Sequence, residues 1–129
     1  MRVLIVHRRL AVGAFWAHVL EREGASAQAA ADSAEAIKAI RCDHFDAAVL
    51  DMALPRRGAF AVADHLALWF PDLPVIAIST GVMAIDSSLF DVVPNARTIM
   101  SMPVQLRDLV AVVDHYGPRN PAEVIRLRA

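Results

Sequence analysis

Short, mainly apolar runs recur along the chain, at 3–6, 25–30 (the weakest), 47–50, 74–78 and 97–100. A run that stays apolar at successive positions is typical of a strand that is buried on both faces of a parallel sheet. The first run, VLIV, leads directly into His7, Arg8 and Arg9. The pattern therefore predicts five strands, the first of which places basic or near-basic side chains at its carboxyl end.

The segments between these runs carry apolar side chains at helical spacing. Asp32, three positions before Glu35, has the form of a capping box and predicts a second helix that runs to about Arg41. A further helix is predicted over 82–93, although its periodicity is poor. The apolar faces of the other helices are Val12, Phe15, Trp16, Val19 and Leu20 in the first, Phe60, Ala63, Leu66 and Ala67 in the third, and Leu106, Leu109, Val110 and Val113 in the last. The first of these helices is predicted to end before Gly24, the third before Pro71 and the last before Gly117.

Five strand–helix units in about 117 residues predict an α/β fold with a doubly wound, five-stranded parallel sheet. For a chain of this size the commonest strand order is 2-1-3-4-5, which opens a ligand crevice at the carboxyl ends of the first and third strands. The first strand ends at His7 and Arg8, and the third ends at Asp51. A carboxylate and cations are therefore expected to meet in this crevice.

Composition indicates one intracellular domain that binds neither nucleic acid nor membrane. The 129 residues carry 13 Lys and Arg against 14 Asp and Glu, and no basic stripe with aromatic residues is present. No apolar run approaches the roughly 18 residues that a membrane span needs. A single cysteine, Cys42, excludes an intrachain disulfide and favours an intracellular location. Residues 118–129 are expected to be a tail or linker stub.

Motifs for several enzyme classes are missing from the sequence. The five glycines form neither GxG nor GxxxxGK[ST], which disfavours a nucleotide-binding enzyme, and there is no GxSxG elbow for a serine hydrolase. Cys42 and His44 lack the second pair of ligands that a metal site would need. A cysteine packed at the end of a helix is therefore the favoured interpretation of Cys42.

Asp51 is the strongest candidate for a functional residue. A carboxylate directly after an all-apolar strand is costly to hold there unless cations or the crevice use it. The next helical pattern begins only near Phe60, which is too far away for Asp51 to be its cap. Ser79 and Thr80, at the end of the neighbouring strand, could either cap a helix or donate to an anion held over Asp51.

Four landmarks together resemble the receiver domain of bacterial two-component response regulators, a flavodoxin-like fold. They are VLIV at the start, FDAAVLDMALP around Asp51, FPDLPVIAIS ending at Ser79, and Pro103 before the last helix. The resemblance covers roughly residues 2–116, so 1–117 is expected to be a receiver domain. It implies that Asp51 is the phosphoacceptor position, that Ser79 contacts the phosphoryl oxygens, and that the Met102–Pro103 peptide bond is cis.

The sequence departs from this family at several pocket positions. His7 and Arg8 occupy the two positions after the first strand where the family usually has acids that hold Mg²⁺. Met102 occupies the position before the proline where the family usually has lysine. Ile99 replaces the aromatic residue that often reports the active state. Gly58 falls one position early, so that the family's usual glycine position holds alanine. The resemblance therefore leaves Mg²⁺-dependent phosphorylation in doubt.

These departures change the electrostatics around Asp51. Mg²⁺ prefers about six oxygen ligands with one or two carboxylates, and a guanidinium would repel it, so Mg²⁺ binding is expected to be weak or absent, with no other cofactor. In one outcome Arg8, with His7, neutralises Asp51 and makes the domain a pseudo-receiver. In the other, Arg8 with Arg56 or Arg57 holds an Asp51 phosphate, although these two arginines could equally form a solvated loop. The first outcome is favoured.

The sequence is interpreted as an atypical, phosphorylation-impaired receiver domain, a cytoplasmic protein-interaction module and not an enzyme. Expected partners are a histidine kinase or phosphotransfer protein and an output domain or protein, with a homodimer as a further option. The resemblance implies a contact surface on the predicted 82–93 helix, the fifth strand and the last helix. The alternative is a small enzyme on the same sheet that uses Asp51 and His7 as an acid–base pair.

Overall fold

Five parallel strands form a single sheet in the order β2-β1-β3-β4-β5 in the computed structural model, which describes residues 1–79 and 93–116. The predicted order and doubly wound α/β fold are confirmed. The predicted tail at 118–129 and the predicted helix over 82–93, except Val93, lie outside the described residues. The strands are β1 (Arg2–Val6), β2 (Ser26–Ala30), β3 (Ala47–Asp51), β4 (Val75–Ser79) and β5 (Ala96–Ser101), and the described helices are α1 (Leu10–Arg22), α2 (Ser33–Cys42), α3 (Gly58–Trp69) and α4 (Leu106–Tyr116).

The three central strands are almost entirely buried because helices cover both faces of the sheet. Every residue of β3 and β4 is buried, as are the last four of β1. Alternate side chains point to opposite faces of a strand, and the sheet therefore has two cores. One, against α1 and α4, holds Val3, Ile5, Val49, Ile76, Ile78, Trp16, Leu20, Leu109 and Val113; the other, against α2 and α3, holds Leu4, Val6, Leu50, Val75, Ala77, Ile40, Val62 and Leu66.

The buried face of α1 differs from the predicted one. Phe15 is 50% exposed, whereas Gly13 and Ala17 are buried. A Cβ atom at Gly13 would lie 3.5 Å from the Cβ of His7 and 3.6 Å from the Cβ of Ala29. The helix therefore packs on the sheet through small side chains, and Phe15 is displaced to the surface.

The burial expected for Cys42 is also wrong. It is the last residue of α2, as expected, but its side chain is exposed rather than packed. None of the helices in the two described stretches is long and apolar enough to cross a bilayer.

The loop after β3 contains an unusual pair of backbone conformations. A single 3₁₀ turn at Pro55–Arg57 leads into α3, and both Arg56 (φ 58°) and Arg57 (φ 56°) adopt positive φ. Gly58 itself has ordinary helical geometry (φ −58°). A Cβ at Gly58 would lie 3.3 Å from the Cβ of Ser33 and 3.4 Å from that of Leu54. The early glycine thus permits close packing of α3 against α2, and the arginines take the left-handed conformations.

Candidate functional site

The carboxylate of Asp51 is held at the carboxyl end of β3 by main-chain donors from two loops. Asp51 is 1% exposed. Its Oδ2 accepts the N–H of Arg8 at 3.1 Å, and its Oδ1 accepts the N–H of Ala53 at 2.9 Å. Burial of a carboxylate is costly unless its oxygens find donors. These two bonds give each oxygen a partner before any other side chain is considered.

The guanidinium of Arg8 adds charge to this arrangement. Its Nη1 lies 3.4 Å from both Oδ1 and Oδ2 of Asp51, at the long limit of a hydrogen bond. The Arg8 side chain is 35% exposed, so that water screens part of the attraction. Arg8 therefore contacts Asp51 twice, once through its main chain and once through a partly solvated ion pair.

His7 is buried beside Asp51 but does not act as its cationic partner. The Nδ1 atom of His7 accepts the N–H of Arg9 at 3.0 Å, which requires Nδ1 to be unprotonated. The same atom lies 3.9 Å from Oδ2 of Asp51. Burial lowers the pKa of His7 below its ordinary value of 6.5, against the opposing attraction of Asp51. The expectation that His7 helps to neutralise Asp51 is therefore wrong at neutral pH.

The other face of the His7 ring belongs to the hydrophobic core. The ring meets Trp16 of α1 edge to face, with the ring centres 5.0 Å apart. His7 is only 2% exposed, and Trp16 is 5% exposed. A residue at a position where the family usually has an acid thus serves mainly as a packing side chain.

Ser79 lies at the carboxyl end of β4, beside the strand that carries Asp51. It is 3% exposed and pairs with Ser101 of β5 in the sheet register. The C=O of Ser79 accepts the N–H of Met102 at 2.9 Å, and the Met102–Pro103 peptide bond is cis. The Met102 side chain packs against the α1/α4 core. The family's lysine position therefore carries an apolar group. Thr80 lies outside the described residues.

Arg56 and Arg57 both have exposed side chains on the loop after β3. This exposure is what a solvated loop would give. Holding an Asp51 phosphate would require these side chains to turn toward the crevice.

The residues around Asp51 do not fit Mg²⁺. Among the described residues, Asp51 is the one carboxylate of the pocket, and Arg8 already lies against both of its oxygens. The Nδ1 lone pair of His7 is occupied by the Arg9 N–H. Across residues 1–79 and 93–116, no three His, Cys, Asp or Glu side chains are grouped so that they could hold a metal ion. Mg²⁺ usually binds through one or two carboxylates, and the described part of this pocket offers one that is already paired with a guanidinium.

Sequence reasoning missed the two main-chain donors to Asp51. The N–H groups of Arg8 and Ala53 leave no trace in the pattern of side chains, because any residue except proline supplies one. The signal that was available was the position of Asp51 itself, one residue beyond an apolar run.

Comparison with known proteins identifies the family of this domain. The profile of the response regulator receiver domain matches residues 3–114. The chain is 28% identical over 133 residues to the response regulator MprA of Mycobacterium avium (strain 104), covering 98% of this chain and 57% of that protein. It is also 28% identical over 134 residues to MprA of Mycobacterium tuberculosis (strain ATCC 25618 / H37Rv), covering 99% and 57%. This chain therefore spans only part of the length of these relatives.

Solved structures show the same fold. A CheY-like receiver domain protein from Methanospirillum hungatei JF-1 has a TM-score of 0.78 at 26% identity, covering 88% of this chain and 90% of that one. The chemotaxis protein CheY4 of Vibrio cholerae has a TM-score of 0.78 at 18% identity, covering 89% and 97%. The sheet order, the buried Asp51 and the profile match agree with one another. The chain belongs to the response regulator receiver domain family.

Proposed function

We propose that this receiver domain is a protein-interaction module of a two-component or phosphorelay pathway in which Arg8, rather than Mg²⁺, neutralises Asp51. The observation that carries the proposal is the double contact of Arg8 with the Asp51 carboxylate, through the main-chain N–H at 3.1 Å and the guanidinium at 3.4 Å. Partners would be a histidine kinase or phosphotransfer protein and an output domain or protein, in the cytoplasm. A homodimer is compatible with this role.

The physical reason is competition for one carboxylate. Mg²⁺ would have to displace a guanidinium and would then find, among residues 1–79 and 93–116, a single carboxylate and a neutral imidazole in the pocket. Without the metal, charge on an incoming phosphoryl group has one fewer cation to offset it. Phosphorylation of Asp51 is therefore expected to be severely weakened, and switching to depend on partner binding.

The enzyme alternative has weaker support. An acid–base pair of Asp51 and His7 would need a proton on the imidazole nitrogen nearest the carboxylate, so that this N–H could donate to the carboxylate. That nitrogen, Nδ1, accepts the Arg9 N–H at 3.0 Å. The domain is therefore proposed not to be an enzyme.

The decisive experiment is an Mg²⁺ titration of three proteins, followed through the amide shifts of residues 51–54. The wild type should show no saturable shift at millimolar Mg²⁺. Arg8→Asp removes the guanidinium and supplies a second carboxylate, so it should gain saturable binding. Arg9→Asp makes the same charge change at the next residue, whose side chain has no part in the proposal, and should stay like the wild type.

Phosphorylation is measured on these three proteins and on Asp51→Asn with acetyl phosphate and Mg²⁺, by intact mass. Arg8→Asp should accumulate more phosphoprotein than the wild type, and Asp51→Asn should accumulate none. Saturable Mg²⁺ binding by the wild type, or equal behaviour of Arg8→Asp and Arg9→Asp, would contradict the proposal.

A further inference from the structure

A cavity of about 460 Å³ opens at the end of the sheet opposite Asp51. Four parts of the chain form it: the loop before β3, the last residue of α3, the loop before β4 and the last residue of α4. Ligand-binding cavities in proteins commonly measure about 300–1,000 Å³, so this one has room for a large side chain. Its lining residues are His44, Phe45, Asp46, Trp69, Phe70, Pro71, Asp72, Leu73, Pro74 and Tyr116.

Hydrogen bonds and ring contacts hold the walls of this cavity in place. Buried Asn95 donates from Nδ2 to the C=O of Phe70 at 3.0 Å. The ring of His44 meets Phe70 edge to face with the ring centres 5.3 Å apart. The Tyr116 hydroxyl donates to the C=O of Arg97 at 3.4 Å. A cavity formed before binding loses little conformational freedom when a ligand enters it.

The lining combines aromatic rings with negative charge. It includes Asp46 and Asp72, and among its described residues there is no lysine or arginine. The nearby guanidinium of Arg2 pairs instead with Asp43 at 2.7 Å and lies over the ring of Phe45 at 5.3 Å. Aromatic faces and carboxylates both attract cations, so the cavity is suited to a positively charged group.

The rim adds exposed apolar surface to this chemistry. Trp69 lines the cavity and is 51% exposed, and its neighbour Leu68 at the end of α3 is 77% exposed. Aromatic residues such as Trp69 are enriched at surfaces that bind other proteins. A free small cation would leave this rim uncovered, whereas a polypeptide with apolar residues beside its cation would cover it.

We propose that the cavity binds an arginine side chain, flanked by aliphatic residues, from a separate partner protein. Arginine fits better than lysine because its planar guanidinium stacks on aromatic rings and can still donate to a carboxylate. Trp69 and Phe70 supply the rings, and Asp72 supplies the charge. The proposal concerns the opposite end of the sheet and stands independently of the role proposed for Arg8.

The test is an NMR titration of the full chain with the peptide acetyl-Leu-Arg-Leu-amide. Amides of residues 44–46, 70, 72 and 73 should shift saturably, with a Kd of about 1 mM or tighter. The same peptide with citrulline in place of arginine has the same shape but no charge, and should bind at least about threefold more weakly. Equal shifts with the two peptides, or no saturable shift, would overturn the proposal.

Variants separate binding at this cavity from general adhesion. Trp69→Ala and Asp72→Asn should each weaken peptide binding by about threefold or more. Asp64→Asn on the exposed face of α3 makes the same charge change away from the lining and should bind like the wild type. Urea midpoints of all variants serve as a check on folding. If a second copy of the chain is the occupant, sedimentation will show a concentration-dependent dimer that Trp69→Ala abolishes, and the proposal of a separate partner will be wrong.

Discussion

Arg8 affects Asp51 through two groups of very different strength. The main-chain N–H at 3.1 Å is independent of the side chain, and the guanidinium at 3.4 Å is partly in water. Exposed ion pairs typically contribute about 0–1 kcal/mol, so the side chain is expected to stabilise the fold only modestly. In the proposed function, its larger effect is to occupy the carboxylate that a metal ion would otherwise use.

The side chains of this pocket were partly predictable from the sequence, and their bonds were not. Asp51 and Arg8 follow strands that the pattern identifies, so their meeting at one edge of the sheet could be expected. The neutral state of His7 depends on its burial against Trp16 and on the N–H of Arg9. Neither can be inferred from the letter H after an apolar run, because both need the tertiary packing of α1.

His7 makes stability depend on pH, with a definite sign. Burial lowers the pKa of His7 in the folded protein below 6.5, so that the unfolded chain binds more protons than the folded one as the pH falls below about 6.5. The stabilising effect of a neutral His7 is therefore present above about pH 6.5 and is lost on acidification. We expect the free energy of unfolding to fall between pH 7 and pH 5, by at most about 1.4 kcal/mol per pH unit from this one proton.

The control for this pH effect is His7→Gln, which cannot take up the proton. Urea unfolding at pH 5, 6 and 7 measures both proteins, and the slope of stability against pH should be smaller for His7→Gln. An NMR titration of the His7 ring gives its pKa directly. Equal slopes, or a ring that titrates above 6.5, would show that the folded protein does not hold His7 neutral.

Among the elements, α2 shows how closely a local signal can specify a structure. Asp32 accepts the N–H of Glu35 at 2.8 Å, and Oε2 of Glu35 accepts the N–H of Ala31 at 2.9 Å. The spacing of these two acids predicted the first bond, whereas Glu35 accepts the N–H of the residue before the cap and not that of Asp32, as a capping box would require. By contrast, Phe15 was assigned to the wrong face of α1. Helical spacing identifies apolar residues that share a face, but it says nothing about how closely the helix approaches the sheet.

The cap of α2 gives a prediction at the scale of one element. Asp32→Ala removes the acceptor for the Glu35 N–H and should lower the free energy of unfolding by about 1 kcal/mol, as N-cap replacements commonly do. Asp32→Asn keeps an acceptor at the same place and should cost much less. Urea midpoints of the two variants decide the matter: if alanine and asparagine are equally destabilising, the side-chain bond contributes nothing.

At the scale of the whole molecule, strand order and the course of the sheet could be predicted because length, pattern and turn signals restrict the topology. The order of the five strands followed from five units in a chain of this size. The cavity opposite Asp51 could not be foreseen, since its walls come from two separate loops and two helix ends. Only the packed fold brings Tyr116 beside Trp69 and Phe70.

The pocket and β5 are expected to be uncoupled across the molecule. Ile99 is paired with Ala77 in the sheet and packs against the α2/α3 core, and it has neither a ring nor a hydroxyl to turn toward Ser79. Beryllofluoride with Mg²⁺ should therefore leave the amides of residues 97–106 unmoved. Arg8→Asp is the informative companion, because residues 51–54 should respond in that variant while 97–106 stay still. A saturable shift over 97–106 in either protein would show that another route carries the coupling.

The buried strand β3 has an acid at its last residue and another just before its first. Asp51 ends the strand, and Asp46 precedes Ala47, so that five residue steps separate the two carboxylates. At about 3.3 Å per step their backbones lie about 16 Å apart, at opposite ends of the same strand. A partner bound at the Asp51 end and a partner bound at the other end would therefore contact different residues of this domain. If both proposals hold, the domain would act as a two-ended connector that brings the two bound proteins close together.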